Sequence, residues 1–131
     1  MADAKLKVTF TDIYVSKDGD PTGKGEVFWS FKVDGSVVSS RTVANPRKTG
    51  SGEIIALGEH TTTTKSGALG TKLVISGFVG EKDSGFDGKD EYDAFSHNYT
   101  SAGNWGTGHP QSATISDKNL NATVNYIIER V

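Results

Sequence analysis

Two stretches of the chain, Lys17-Asp-Gly-Asp-Pro-Thr-Gly-Lys-Gly-Glu26 and Lys82-Asp-Ser-Gly-Phe-Asp-Gly-Lys-Asp-Glu91, share one pattern. Five of their ten positions are identical in phase: Lys17 with Lys82, Asp18 with Asp83, Gly23 with Gly88, Lys24 with Lys89 and Glu26 with Glu91. With Asp93, the two stretches hold eight of the sixteen carboxylates. Carboxylates crowded in this way repel one another unless a positive charge neutralises them. A hard divalent cation does so directly, since Ca2+ takes about six to eight oxygen ligands from carboxylates and backbone carbonyls. The candidate metal ligands are Asp18, Asp20, Glu26, Asp83, Asp87, Asp90, Glu91 and Asp93, with Ca2+ as the expected ion. The competing reading is that Asp and Gly are ordinary turn residues whose charges are solvated, with Lys24 and Lys89 neutralising part of them.

The glycines at 19, 23, 25, 85 and 88 would let the backbone fold tightly and turn carbonyls inward. Asp83-Ser-Gly-Phe-Asp-Gly begins like an EF-hand loop, but the third position is Gly85 and the twelfth is Ala94, where that loop needs a bidentate Glu. An EF-hand is rejected.

Positioning two such loops is a task for strands, and the dominant period is two. Leu6, Val8 and Phe10 alternate with polar residues, and Ile13 and Val15 extend a strand over about 5–15. Residues 26–33 place Val27, Trp29, Phe31 and Val33 on one face. Asp34-Gly35 is a hairpin signal and returns the chain through Ser36–Val43. Residues 44–52 are a loop by composition; Glu53–Leu57 continues to Thr64 as one strand, with Gly58 as a bulge. Residues 71–80 are the most apolar strand and should be central. Residues 92–110 read as irregular loop with a short helical turn at Tyr92, Phe95 and Tyr99, and a final hairpin turns at 117–119. The pattern predicts an all-β chain, a single antiparallel β-sandwich domain over 1–131 of about 7–8 strands, jelly-roll or Greek-key like, with a small barrel as the alternative. Counting strand directions through one bulged strand at 53–64 puts the loops at 16–25 and 81–91 at the same end.

The loops resemble those of another family. Asp18-Gly-Asp-Pro-Thr-Gly-Lys-Gly-Glu-Val-Phe is similar to the first loop, and Glu81-Lys-Asp-Ser-Gly-Phe-Asp-Gly-Lys-Asp-Glu to the third loop, of the Ca2+- and phospholipid-binding β-sandwich domains of the protein kinase C and synaptotagmin kind. The resemblance implies a calcium site at one end and a lipid headgroup as a partner. The chain lacks the Ser-Asp-Pro-Tyr string typical of the family and has no polybasic strand for anionic lipid.

Other chemistry is poorly supported. Net charge is −2 and the basic residues are scattered among acids, so nucleic acid is not an expected partner. There is no cysteine, which excludes disulfides and thiolate chemistry. His60, His97 and His109 have no recognisable ligand spacing, no Gly-x-Ser-x-Gly elbow is present, and an enzyme is not expected. No apolar run reaches the roughly 20 residues of a transmembrane helix, and the first residues have no apolar signal core, so the sequence as written reads as cytoplasmic, with non-standard export open. The second functional reading is a lectin. Trp105, with Asn98, Tyr99, Asn104 and His109, would form a glycan-binding loop; the bland alternative makes Trp105 a lid on the core. A purely structural or self-assembling protein has no feature of its own in the sequence, which leaves the oligomeric state open.

Overall fold

A computed structural model describes residues 2–19, 24–82 and 91–131, with Glu91 described by its backbone alone. Among the described residues, ten strands form two antiparallel sheets. They are β1 (Ala4–Asp18), β2 (Gly25–Val33), β3 (Ser36–Arg41), β4 (Arg47–Thr49), β5 (Glu53–Ala56), β6 (His60–Lys65), β7 (Leu73–Glu81), β8 (Glu91–Tyr99), β9 (Gln111–Asp117) and β10 (Leu120–Arg130). One sheet runs β5-β1-β10-β9, with β6 also on β1; the other runs β3-β2-β7-β8, with β4 also on β2. Because β5 and β6 share one side of β1, and β3 and β4 one side of β2, the layout is a sandwich four strands wide in each sheet.

The first strand changes phase twice. Leu6, Val8 and Phe10 are buried at even positions, Ile13 and Val15 at odd ones, and Asp18 at an even one again. Register shifts against β10 fall at the two places where the phase changes, between Phe10 and Asp12 and between Val15 and Lys17. Each bulge inserts one residue and so reverses which alternate positions face inward. Across the first bulge lies the break between β5 and β6. Gly58 adopts φ +138°, Gly58 N–H bonds Phe10 O, and Phe10 N–H bonds Glu59 O. Both segments are antiparallel to β1, so 53–65 is one bulged strand, as the strand count requires.

In β2, Val27, Trp29, Phe31 and Val33 are buried in the core, and Phe28 on the outer face is buried as well. Asp34 and Gly35 turn with φ of 50° and 84°, the paired left-handed geometry of a tight hairpin. The Asp34 carboxylate anchors that turn by accepting Val74 N–H at 2.9 Å and Lys65 Nζ at 3.0 Å. The strand β7 is central in its sheet, as its apolarity implies. Between the sheets, Phe10 stacks on Phe31 at 5.1 Å, and Phe31 meets Phe95 at 6.0 Å. Trp29 Nε1 donates to Ser39 Oγ on the neighbouring β3, so a buried indole N–H is satisfied within its own sheet, and Ser39 Oγ donates in turn to Glu59 Oε1 of the other layer.

Two sequence expectations fail here. The segment 47–49, read as loop, forms β4, and 92–99, read as irregular with a short helical turn, belongs to the edge strand β8. Its inward register is Asp93, Phe95, His97 and Tyr99, so polar residues conceal the period-two signal. The only helix-like piece among the described residues is a 3-10 turn over Ser101–Gly106.

Gly77 makes the aromatic core possible. It has φ +154°, and a Cβ there would overlap the Ser30 carbonyl and press on Phe31. We expect Gly77→Ala to lose about 2–3 kcal/mol by chemical denaturation, through overpacking and backbone strain. Gly103→Ala, whose Cβ would meet nothing within 4 Å, should stay within about 0.5 kcal/mol of the parent.

Candidate functional site

Register places the bases of both acidic segments together. Val27, two residues into β2, pairs with Glu81 at the end of β7, and Lys82 N–H bonds Glu26 O at 2.8 Å. Glu81 in turn pairs with Glu91 at the start of β8, while Gly25 approaches β1 so closely that a Cβ would overlap the Asp18 carbonyl. The segments therefore leave and re-enter the sandwich at one mouth.

Asp18 is brought to the inner side of this mouth by the second bulge of β1 and is 5% exposed. Without that bulge Lys17 would take the inward position. Asp18 N–H bonds Ser51 Oγ at 3.2 Å, tying the strand end to the 50–52 turn. Glu81, which sequence reading did not include, continues the inward register of Ile75 and Val79 and is 6% exposed. Extending the alternation of β7 by two residues would have found it. Both residues take part in interactions within the structure. Glu26 falls in the outward register of β2, beside Lys48 on β4. Asp20, Asp83, Asp87 and Asp90, and the side chain of Glu91, lie outside the described residues.

Asp93 has a different employment. Its two carboxylate oxygens accept Ala94 N–H and, across the gap between sheets, Ser116 N–H, both at 3.0 Å. Asp117 reciprocates by accepting Tyr92 N–H at 2.8 Å. The pair straps the edge strands β8 and β9 together beside the mouth. Asp117, in a separate turn by sequence, belongs to this same end, since Asp18 pairs with Leu120 and Leu120 with Asp117. Lys24 serves Glu53 rather than the acidic cluster, in an ion pair of 2.9 Å. That hydrogen bond holds the Glu53 carboxyl below its usual pKa.

The donors at the mouth are hard oxygens, which fits a calcium-like cation in kind. Among the described residues, no group of three or more His, Asp or Glu side chains is arranged to hold a metal. Asp18 and Glu81 are the described carboxylates positioned to contribute.

The opposite end is closed. Trp105 is 1% exposed, held under a turn in which Asn104 and Trp105 adopt φ of 52° and 58°. Its ring seals the core and is not offered to a sugar, which corrects the lectin reading at its central residue. Asn104 Oδ1 accepts both Nε and Nη2 of Arg130. Tyr99 turns inward to Tyr126, with 2.6 Å between hydroxyls, and His97 Nδ1 lies 3.1 Å from the same Tyr126 oxygen. Burial, then the Tyr99 bond, pushes the Tyr126 phenol above its ordinary pKa. Asn98 and His109 are exposed, His109 within 3.1 Å of Gln111 Nε2. These residues stand at the end opposite the mouth.

Comparison with solved structures decides the fold. The chain aligns over 96% of its length, and 98% of the other, with a structure titled as that of a C2 domain, at TM-score 0.57 and 8% identity. The fold is that of a C2 domain. A C2 domain protein from Ramazzottius varieornatus aligns over 99% of this chain and 90% of its own, at TM-score 0.51 and 11% identity. Human GIVD cytosolic phospholipase A2, solved with methyl gamma-linolenyl fluorophosphonate and terbium chloride, aligns over 99% of this chain at TM-score 0.51 and 12% identity. There the C2-like chain spans 18% of the larger protein. No family model and no curated protein matches the sequence significantly. Likeness at such identity establishes the C2 fold, and the protein kinase C and synaptotagmin resemblance read from the loops agrees with it.

Trp105→Ala should cost about 3–5 kcal/mol by denaturant unfolding, as large buried aromatics do. Asp93→Ala and Asp117→Ala should each cost about 1–2 kcal/mol, because each leaves a strand-edge N–H without its carboxylate. Trp105→Ala melting like the parent would show that the ring seals nothing.

Proposed function

We propose that the chain is a non-enzymatic Ca2+-binding module of C2 fold that engages a surface or partner through its acidic end. The reading rests on one observation above others. The β2–β7 register gathers the bases of two like acidic segments at one mouth, with the Asp18 and Glu81 carboxylates on its inner side. Asp20, Asp83, Asp87 and Asp90 are the proposed remaining ligands, contributed by the segments themselves. A cation bound there offsets carboxylate repulsion and presents positions for an oxygen donor of a partner, with a lipid headgroup favoured by the fold family. The chain's own part is to hold the oxygens together on bulge-fixed strand ends. Attraction to an anionic surface would come from the ion together with Lys17, Arg47, Lys48 and Lys82 on the same strand ends, Lys24 being engaged by Glu53.

Calorimetric titration with Ca2+ tests this. Binding should tighten as pH rises through the acid range, because ligand carboxylates must lose their protons. Thermal unfolding should be shifted upward by calcium relative to chelator, by about 2.7 kcal/mol at one hundred times Kd. Asp18→Asn and Asp83→Asn should each weaken binding at least about 10-fold, a loss of about 1.4 kcal/mol. Asp3→Asn, on an exposed position before β1, should leave it unchanged. Superimposable melts in calcium and chelator would sink the proposal.

A further inference from the structure

The two outer faces of the sandwich carry charge differently. The sheet containing β1 mixes Lys5, Lys7, Asp12 and Glu129 among its partly or fully exposed positions. On the sheet containing β2, the outward register sets Lys32, Lys48 and Lys82 against Glu26 alone among the described residues. Arg41 ends β3 beside them, and its Nε donates to the Asn45 carbonyl at 2.9 Å. None of these four cations is held in an ion pair among the described residues. Between them the face is apolar and concave. Phe28, Val43, Phe78 and Tyr92 line a hollow of about 360 Å³. It adjoins a second hollow of about 320 Å³, which shares Phe28, Val43 and Phe78 and is bordered by Val37, Ser40 and Arg41. Phe28 is 8% exposed, whereas Val43 is 40% and Tyr92 61% exposed. The buried ring is therefore the floor, and Val43 and Tyr92 are walls. Phe78 meets Phe28 edge-on at 6.0 Å and Tyr92 at 6.4 Å, so floor and wall brace each other.

We propose that this groove docks an acidic peptide segment of a partner protein, which seats one large apolar side chain between Val43 and Tyr92. The hollow lies at the small end of ligand-sized cavities, about 300–1,000 Å³, and suits one such side chain. An apolar pocket ringed by polar groups is where a single anchor residue contributes most to binding. Charge selects the rest of the segment. Lys48 and Lys82 flank Glu26 one row of side chains from Phe28 toward the mouth, and Lys32 stands two rows the other way. Arg41 lies on the β3 side, with its Nε occupied by Asn45 and its terminal nitrogens left for a carboxylate. Acids beside the anchor thus meet cations on three sides, and a bond from a guanidinium to a carboxylate is of the stronger, charge-assisted kind. A basic segment would meet Glu26 alone. A bilayer fits less well, because Phe28 is already covered and a concave floor offers a membrane little to bury. The groove uses none of the carboxylates on the inner side of the mouth, so docking needs no calcium.

Fluorescence anisotropy of labelled synthetic peptides with the whole chain, in chelator, tests the docking independently of calcium. The probes are three decapeptides: one with a central Trp flanked by Asp and Glu, one with Ala in place of that Trp, and one with Lys in place of the acids. The first should bind with Kd below about 1 mM, the scale of weak association, and at least about 10-fold tighter than either of the others. Tyr92→Lys should weaken it at least about 10-fold although it adds a positive charge, because a wall of the hollow is lost. Val43→Glu, at the other exposed wall, should do the same. Arg41→Gln should weaken the acidic peptide and flatten the salt dependence of its binding. Lys5→Glu, on the opposite outer face, should change nothing. Three peptides that bind alike, or an acidic peptide that does not bind at about 1 mM protein, would overturn the proposal. So would Tyr92→Lys and Val43→Glu binding like the parent. Phosphatidylserine vesicles that bind in chelator and displace the acidic peptide would make the groove a lipid site instead.

Discussion

Everything in this molecule hangs on β1, the strand that pairs with β10 on one side and with β5 and β6 on the other. Fifteen residues of strict alternation would have kept one set of side chains inward throughout, and Ile13 and Val15 would have faced water. Two inserted residues prevent this. The first bulge turns Ile13 and Val15 into the core and is matched opposite by the Gly58 break. The second returns the phase and swings Asp18, not Lys17, to the inner side of the mouth. One backbone device thus sets both the core and the charge at the acidic end.

The same phase changes explain what could be read from the sequence. Strands whose inward register is wholly apolar, such as Val27-x-Trp29-x-Phe31-x-Val33, were legible, and so was the Asp34-Gly35 turn. Direction counting worked because Gly58 interrupts a strand without reversing it. The strand β8 was hidden because its inward side chains earn their burial by bonding: Asp93 to Ser116, His97 and Tyr99 toward Tyr126. Trp105 sits among glycines and polar residues that suggest an exposed loop, yet two left-handed residues fold it onto the core. Glu81 was missed because a carboxylate ending an apolar strand reads as the start of the next loop. Most candidate ligands fall outside the described residues, so their convergence was not legible from the strands alone.

The two ends of the sandwich use polar groups in opposite ways. At the far end, Tyr126, Tyr99 and His97 satisfy one another, Arg130 satisfies Asn104, and Trp105 closes the core. At the mouth, carboxylates bind backbone N–H groups at the edges, while Asp18 and Glu81 are held inward by strand phase. A sealed end and a carboxylate-lined end give the molecule a direction, and the proposed ligand chemistry belongs to the second.

Identity of 8–12% with other C2 folds transfers architecture and no residue roles. The calcium reading therefore rests on this chain's own carboxylates, of which Asp18 and Glu81 are set inward at the mouth by the phase of the strands that carry them.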